Sequence, residues 1–358
     1  MIYITNALLS TIYFYNLRKL KKVTYLYFMP ILLLWTVIIG GQYDVGTDYF
    51  MYRMIFENSN KLYLYFIKKE YLFYYYVIFL KYLSNNPQFF FMMTGLIQNF
   101  LLVIIIKKLI KKKVLEIKYT YIFILIYLTA ITVFYNQMNG LRQYFNIYLF
   151  SLGIIYMLNR KKIKYCLINL IAIFIHRSSY LLLPFYLIYS YFIKKNNKKY
   201  FYFIILLVGL IISLIDIKNI LEIIVLKYTP KFSGYFLTER IQEVSLEKKI
   251  VKYVYLPFYF CAINLIEKRK GKVKEMIKIG VIGYSIRIAV SNISIVNRIG
   301  EYFIILSIFP IYYLIEEWLK QRKNFLLLIL IGMICGIFFL KVTIFAKGEY
   351  FYRFYLFN

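Results

Sequence analysis

The sequence predicts an all-α, polytopic integral membrane protein with about twelve transmembrane helices. The chain is 62% hydrophobic over 358 residues, and its mean hydropathy is +0.63. A soluble domain of this length could not bury that much apolar surface. The basic residues, in addition, gather in short clusters between apolar runs, which is typical of the ends of transmembrane helices.

Apolar runs recur along the whole chain, and many approach the ~20 residues that cross ~30 Å of hydrocarbon. Clear examples are Tyr25–Gly40, Phe89–Ile106, Tyr119–Phe134, Phe201–Ile215 and Phe325–Phe339. Met1–Leu17 has neither a basic leader nor a small-residue cleavage site. It is therefore interpreted as the first span rather than as a signal peptide.

The net charge of +30 is concentrated in six clusters between the apolar runs. The clusters are 18–22, 107–113, 160–164, 194–199, 268–274 and 320–323. They hold 25 of the 46 basic residues, whereas the loops between them hold 11. The positive-inside rule places the clusters in the cytoplasm and the other loops outside. No basic patch lies on a soluble element, which argues against a nucleic-acid partner.

The segment 66–83 decides the topology between the first two clusters. Both clusters belong in the cytoplasm, so an even number of spans must separate them, yet 25–40, 66–83 and 88–106 are three candidates. The middle segment contains four charged residues and five tyrosines, and tyrosine favours the membrane–water interface. We therefore predict an interfacial or re-entrant helix on the outer face near 66–83, with both termini outside. In the alternative topology this segment crosses the membrane, and one of the basic clusters lies on the outer side, against the positive-inside rule.

The chain is predicted to be a single transmembrane domain over residues 1–358, since no linker rich in Pro, Gly or Ser divides it. Two stretches are predicted to be external: residues 41–87, with the interfacial helix, and a larger loop over 218–250. The three cysteines lie within apolar runs, and the chain has one histidine. No metal site and no other cofactor is predicted.

Polar residues at membrane depth cost about 2.5–3.5 kcal/mol each at a helix centre, so they are candidates for function. The first candidate segment is GGQYDVGTDYFMYR, residues 40–53. Asp44 and Asp48 are four apart and would share a face if the backbone were helical. In the alternative interpretation this is an ordinary interfacial loop, and Asp48 caps a helix that begins near Tyr49.

Two further segments carry an arginine and the histidine. In NGLRQYFNIYLF (139–150), Arg142 lies at the outer end of a span, and the alternative is that it snorkels to the headgroups. In IAIFIHRSSYLLLPFY (171–186), His176 lies between two short apolar stretches beside Arg177. The alternative is a hydrogen-bonded histidine at a helical hairpin. A histidine can also move a proton at neutral pH.

The fourth segment is YSIRIAVSNISIVNRIGEYFIIL, residues 284–306. Arg287 lies within a span and Arg298 at its outer end, and the alternative is a structural ion pair between Arg298 and Glu301. The charge map places all four segments on the external side, which predicts one outward-facing cleft with clustered arginines. Arginine binds phosphate with a fixed fork and a permanent charge. A lipid-linked diphosphate suits such a cleft, and a neighbouring carboxylate or histidine could act as a general base.

These motifs are similar to those of the EpsG family of bacterial polysaccharide polymerases, which is related in role to Wzy-type O-antigen polymerases. The resemblance depends on three blocks that occur in the right order. They are VGTDYFMY (45–52), NGLRQYFNIYLFSLGIIYMLNRKKIKYCLINLIAIFIHRSSYLLLP (139–184) and NRIGEYFIILSIFPIYYL (297–314). The middle block is the most specific, since an arginine at an outer helix end precedes a histidine–serine turn. Asn146 stands where the pattern leads us to expect a small, alanine-like residue.

The resemblance implies a glycosyltransferase that is multi-pass in the bacterial cytoplasmic membrane. Its substrates would be oligosaccharide repeats on undecaprenyl diphosphate, joined on the outer face into capsule, O-antigen or exopolysaccharide. Arg142 and Arg298, with Arg287, would bind the donor diphosphate. His176 or Asp48 would take the proton from the acceptor hydroxyl, and both are candidates for the base. Further candidates for substrate binding are Asp44, Tyr52 and Arg177.

Partners follow from the same resemblance: the membrane lipids, a flippase and a chain-length regulator. Two other functions stay open from the residues. A flippase or other transporter predicts polar groups spread through the depth of the bundle and often an internal repeat. A polysaccharide ligase would share the arginine and histidine chemistry and differ only in its acceptor.

Overall fold

The computed structural model of the chain describes residues 1–130, 133–215, 251, 253–291, 294–346 and 350–357. Two compact units are present: Met1–Phe185 with Gln321–Asn358, and Tyr186–Lys320. The larger external loop predicted over 218–250 lies outside the described residues. The prediction of a single transmembrane domain stays a prediction.

The described residues are mostly helical, with one two-stranded sheet. The helices up to the end of the middle block are α1 (Ile2–Asn16), α2 (Met29–Gly40), α3 (Tyr49–Glu57), α4 (Ser59–Ile67), α5 (Tyr71–Leu83), α6 (Pro87–Lys111), α7 (Thr120–Leu128), α8 (Val133–Asn136), α9 (Leu141–Leu158) and α10 (Lys162–Ile175). The helices that follow are α11 (Phe185–Ile188), α12 (Lys199–Leu214), α13 (Leu256–Ile263), α14 (Leu265–Lys268), α15 (Gly271–Ala289), α16 (Ser294–Glu301), α17 (Ile308–Lys320) and α18 (Asn324–Thr343). The strands are β1 (Gln42–Tyr43) and β2 (Arg353–Phe354).

The predicted apolar runs contain helices in the described residues, but α7 ends at Leu128, within the run Tyr119–Phe134. α6 and α18 are long and apolar enough to cross a membrane. Leu26–Gly40, Ile117–Leu128 and Lys199–Leu214 are shorter apolar segments of 10–17 residues. Among the described residues only α6 and α18 pass the test of length and composition. The count of about twelve spans therefore stays a prediction.

The structure corrects the single helix predicted near 66–83. α4 and α5 are separated by a turn in which Lys69 has a φ of 61°. The N–H groups of Lys69 and Glu70 donate to the carbonyls of Phe66 and Tyr65, both at 2.9 Å, which is the Schellman arrangement that ends a helix. α5 has 13 residues, so it is ~20 Å long and too short to cross ~30 Å alone. Its position at the interface stays a prediction.

An aromatic core holds α3, α4 and α5 against α6 and the start of α9. Its buried members are Tyr49, Tyr52, Ile55, Phe56, Leu62, Tyr65, Phe73, Val77, Leu80, Phe90, Phe91 and Leu141. Tyr49 stacks on Phe91 with ring centroids 4.8 Å apart. Elsewhere in the first unit α2 packs on α6, α1 on α7, and α10 on α9. The core therefore fixes the short helices that follow the first candidate segment.

The C-terminal segment (residues 350–357) pairs with the loop before α3. β1 and β2 are antiparallel, with Tyr43 opposite Arg353. The N–H of Tyr355 donates to the carbonyl of Gly41 at 2.8 Å. The Nη1 atom of Arg353 lies 3.5 Å from Oδ2 of Asp44. The two ends of the first unit therefore meet at this loop.

Gly46 is predicted to tolerate no side chain. Its φ is 80°, and a Cβ atom there would lie 1.4 Å from Oδ1 of Asn139. The same oxygen accepts the N–H of Thr47 at 3.0 Å, so the loop is bonded to the residues before α9. Gly46→Ala is expected to destabilise the protein by more than about 1 kcal/mol, measured by thermal unfolding.

Gly271→Ala is the matched control for that variant, because Gly271 has a φ of 62° and nothing within 4 Å of its added Cβ. It keeps the backbone strain and removes the clash. Equal destabilisation by both variants would contradict the role given to Asn139.

The second unit has its own buried polar contacts. α12 packs on α15, and both α13 and α15 pack on α17. The Nζ atom of the buried Lys278 lies 2.8 Å from Oε1 of Glu275 and donates to the carbonyl of Ile193 at 3.1 Å. Ile193 ends a π-helical turn, Tyr189–Ile193. The lysine thus stabilises a carbonyl at an irregular helix end.

Candidate functional site

Glu70 is the centre of a buried polar cluster in the first unit. The residue is 3% exposed, and its carboxylate binds three groups. Oε2 accepts a hydrogen bond from Nη1 of Arg142. Oε1 lies 2.9 Å from Nδ1 of His176 and accepts the backbone N–H of Arg177 at 3.0 Å. We call Glu70, Arg142 and His176 the Glu70 cluster.

Three helix ends bring the Glu70 cluster together. Glu70 directly precedes α5, Arg142 is the second residue of α9, and His176 directly follows α10. α10 packs against both α5 and α9. Helix ends leave backbone N–H and C=O groups without helical partners, and the N–H of Arg177 is used in this way.

Arg142 packs on aromatic rings below the carboxylate. Its guanidinium carbon lies 4.4 Å from the ring centroid of Tyr65 and 5.4 Å from that of Phe73, within the range of cation–π interactions. Its backbone N–H donates to the hydroxyl of Tyr52 at 3.5 Å. The side chain is only 15% exposed, which does not fit snorkelling. Within the described residues its buried Nε atom has no hydrogen-bond partner. The guanidinium has five N–H donors, and one of its terminal nitrogen atoms donates to Glu70.

Asn146 holds the turn that carries His176. Its side chain is fully buried, and Nδ2 donates to the carbonyls of Ala172 at 2.8 Å and His176 at 3.1 Å, and to Oγ of Ser179. These bonds connect α9 to the C-terminal end of α10, where carbonyls lack helical partners. The alanine-like residue expected at this position could not make them.

Asn146→Ala is predicted to lower the free energy of unfolding by about 1–3 kcal/mol, because it leaves buried acceptors without a donor. The measurement is thermal or denaturant unfolding of the purified protein. Asn169→Ala is the matched control: this residue is equally buried, and its Nδ2 atom donates to the carbonyl of Tyr165 in its own helix. An equal loss in both variants would show that the contact between helices does not hold the turn.

The Glu70 carboxyl is ionised at neutral pH. Burial opposes ionisation, but the hydrogen bond with His176 and the positive charge of Arg142 outweigh it and lower the pKa of Glu70 from 4.5 to about 2. An ionised Glu70 accepts the hydrogen of Nδ1. Whenever the ring of His176 is neutral, this contact leaves its basic lone pair on Nε2. The histidine side chain is 16% exposed, so it is not fully buried.

The other candidate residues of the first unit differ in whether they contact the Glu70 cluster. Tyr52 is buried and contacts Arg142. Arg177 contributes its backbone N–H, and its side chain is exposed. Asp48 directly precedes α3, as the capping alternative expects, but within the described residues its side chain makes no capping hydrogen bond. Asp44 has a φ of 49° and pairs with the C-terminal segment, so the two aspartates do not share a helical face.

Arg287 and Arg298 belong to the second unit. Arg287 is 11% exposed, its Nη1 atom donates to Oγ of Ser307 at 3.1 Å, and its Nη2 atom lies 3.8 Å from Oε1 of Glu301. Arg298 lies on α16 and is exposed. The structure thus gives Glu301 an ion pair with Arg287. The pair between Glu301 and Arg298 that the sequence suggested stays a prediction. Phosphate binding by either arginine stays a prediction.

Sequence reasoning missed Glu70 and the contacts of Asn146. Glu70 was counted only as one of the charges that weaken segment 66–83 as a span. A signal was present, because Glu70 is the only acidic residue between Glu57 and Glu116 in a strongly apolar stretch. Isolated acidic residues in such stretches are candidates for function. Among the described residues no group of three or more His, Cys, Asp or Glu side chains could hold a metal ion.

The fold and the site define a mostly α-helical protein with apolar helices and a buried charged cluster at three helix ends. The chain belongs to the EpsG family, whose family model matches residues 7–356, and this confirms the resemblance found in the sequence. The apolar helices and the family together indicate a membrane protein of polysaccharide biosynthesis. No curated protein and no solved structure matches the sequence.

Proposed function

We propose that the protein is a polysaccharide polymerase that joins oligosaccharide repeats carried on undecaprenyl diphosphate. Family membership supports a polymerase-like glycosyltransferase. The observation that carries the proposal is the Glu70 cluster, in which one buried carboxylate contacts both an arginine and a histidine. A phosphate-binding cation and an oriented base are the two groups that this reaction needs.

In the proposed reaction a hydroxyl oxygen of the acceptor repeat attacks the anomeric carbon of the donor chain. The bond from that carbon to the diphosphate oxygen breaks, and undecaprenyl diphosphate leaves with the electron pair. The proton of the hydroxyl passes to Nε2 of His176. The leaving group needs no proton, so one base suffices.

Arg142 would bind the donor diphosphate with the N–H groups that Glu70 does not use, and would stabilise the charge that grows on it. Its permanent charge and planar fork suit phosphate oxygens. Glu70 would hold the ring of His176 and stabilise the imidazolium that forms, as the carboxylate does in a Ser-His-Asp triad. Asp48 is the alternative base.

The proposal places the reaction on the outer face of the bacterial cytoplasmic membrane, in a multi-pass protein. A flippase that delivers lipid-linked repeats and a chain-length regulator are the partners that the family implies. The product is a capsule, O-antigen or exopolysaccharide chain.

The test is a gel ladder of the surface glycan. A deletion strain is compared with strains complemented by the wild type, Arg142→Ala or His176→Ala at matched membrane abundance. A glycan of one repeat in the deletion strain and in both variants supports a polymerase. Loss of all surface glycan, with lipid-linked repeats accumulating on the cytoplasmic side, would contradict it and favour a flippase. Long chains that stay on the lipid carrier would favour a ligase.

A further inference from the structure

The C-terminal segment places two tyrosine rings and an ion pair on one surface of the first unit. The ring centroids of Tyr43 and Tyr355 are 6.2 Å apart at an interplanar angle of 50°. Tyr355 is 37% exposed, and Tyr43 is partly exposed. Beside them lie the side chains of Asp44 and Arg353, 36% and 46% exposed. We call these four residues the tyrosine platform.

The platform is rigidly built, although its members come from opposite ends of the chain. The β1–β2 pairing sets Tyr43 opposite Arg353. A side chain at Gly41 would overlap the ring of Phe354, so the two backbones are closely packed. The hydroxyl of Tyr352 also donates to the carbonyl of Ile38 at the end of α2, at 2.8 Å. These contacts hold the backbones that carry the two exposed rings against each other.

A row of tyrosines connects the platform to the Glu70 cluster. The ring of Tyr43 contacts that of Tyr49, with centroids 5.7 Å apart. Tyr49 and Tyr52 are three residues apart on α3, so they lie on one face of that helix. The hydroxyl of Tyr52 accepts the backbone N–H of Arg142. The platform and the Glu70 cluster are thus connected through buried tyrosines within the same packed unit.

We propose that the tyrosine platform is a saccharide-binding subsite for a repeat next to the reacting sugar. This inference rests on the proposed function. A pyranose has an apolar C–H face that packs on aromatic rings and a rim of hydroxyls that needs hydrogen-bond partners. Tyr43 and Tyr355 provide the aromatic surface. Asp44 accepts and Arg353 donates, so the pair serves hydroxyls in both roles. A lipid tail would use the rings but not the ion pair.

The test measures sugar binding without turnover. The probe is the host's own surface glycan, cut to oligosaccharides and released from its lipid by mild acid, so that it carries no diphosphate. Saturation-transfer NMR with the purified protein in nanodiscs is expected to show contact with the sugar C–H protons. Tyr43→Leu with Tyr355→Leu is expected to weaken binding by at least about tenfold. Tyr355→Phe keeps the ring and is expected to bind like the wild type.

Two further variants separate the explanations. Tyr82→Leu removes a tyrosine that is 87% exposed on α5, and unchanged binding is expected if the effect belongs to the platform. Tyr200→Leu removes a tyrosine that is 67% exposed on α12, and it too is expected to bind the sugar like the wild type. The subsite is overturned if the wild type does not bind the probe, or if the double variant binds it equally well while its thermal unfolding is unchanged. Failure of the proposed function would instead appear in the glycan ladder, which this measurement does not use.

Discussion

Replacing Glu70 by alanine is expected to abolish polymer formation and to destabilise the first unit. Arg142 would keep a buried charge without its partner, and breaking a buried ion pair costs about 3–5 kcal/mol. The ring of His176 would lose the acceptor that fixes its tautomer. In a Ser-His-Asp triad, replacing the orienting carboxylate by an amide lowers the rate by about 10⁴-fold. We expect a fall on the order of 10²–10⁴-fold in the rate of repeat joining.

Glu57→Ala is the matched control for that variant. Glu57 also pairs with an arginine, Arg53 at 2.8 Å, but its side chain is 46% exposed. Exposed pairs contribute about 0–1 kcal/mol, so stability and activity should remain near wild type. A second variant, Glu70→Gln with Arg142→Met, removes both charges and is expected to recover stability without activity. Full activity in Glu70→Ala would contradict the role of the carboxylate.

The lowered pKa of Glu70 also predicts how the stability of the protein depends on pH, and Glu70→Gln tests that prediction. The folded protein lowers this pKa from 4.5 to about 2, so folding favours the ionised form. Its contribution to stability is fully present above about pH 4.5 and is lost as the pH falls toward 2. Glu70→Gln cannot ionise and should lack this component. An equal decline of the unfolding temperature in the wild type and in Glu70→Gln over this range would show that Glu70 does not supply it.

His176→Ala is expected to lower the rate of repeat joining by about 10²–10⁴-fold while the protein stays folded. The base is lost, but the turn is held by backbone atoms: the N–H of His176 donates to the carbonyl of Ala172, and its own carbonyl accepts from Asn146. The measurement combines the joining rate with thermal unfolding. Substrate affinity should change little, because Arg142 is retained.

Tyr180→Phe is the control for His176→Ala, since Tyr180 lies in the 3₁₀ turn Arg177–Leu182 that directly follows His176 and is 52% exposed. It is expected to keep both rate and stability. If His176→Ala retains more than about a tenth of the wild-type rate, the base is a different residue, and Asp48→Asn becomes the next variant to measure.

The helices of the apolar runs were predictable because long apolar stretches have only one way to satisfy their backbone in a membrane. Phe89–Ile106 lies within α6, and Phe325–Phe339 lies within α18. The break between α4 and α5 was not predictable from hydropathy. Lys69 ends α4 in a left-handed conformation, which glycine or asparagine adopts more readily than lysine.

The site was predictable in part. Arg142 and His176 were singled out as polar residues at helix ends, and the structure brings them to one carboxylate. Their partner Glu70 lies in segment 66–83, where its charge indicates only that the segment is a poor candidate for a membrane span. The contact depends on how α10 packs against α5 and α9, and such packing leaves no periodic pattern in the sequence. Asn146 shows the same limit. Its side chain donates hydrogen bonds to three acceptors at and after the end of α10, and the sequence does not indicate those partners.

The most direct test of the central claim is reconstitution of the purified protein in liposomes with lipid-linked repeats. The account predicts chains of two and more repeats on the lipid, with one undecaprenyl diphosphate released for each glycosidic bond formed. Arg142→Ala and His176→Ala should form neither product, and Glu57→Ala should form both. Release of undecaprenyl diphosphate without longer chains, or movement of intact lipid-linked repeats across the bilayer without any release, would contradict it.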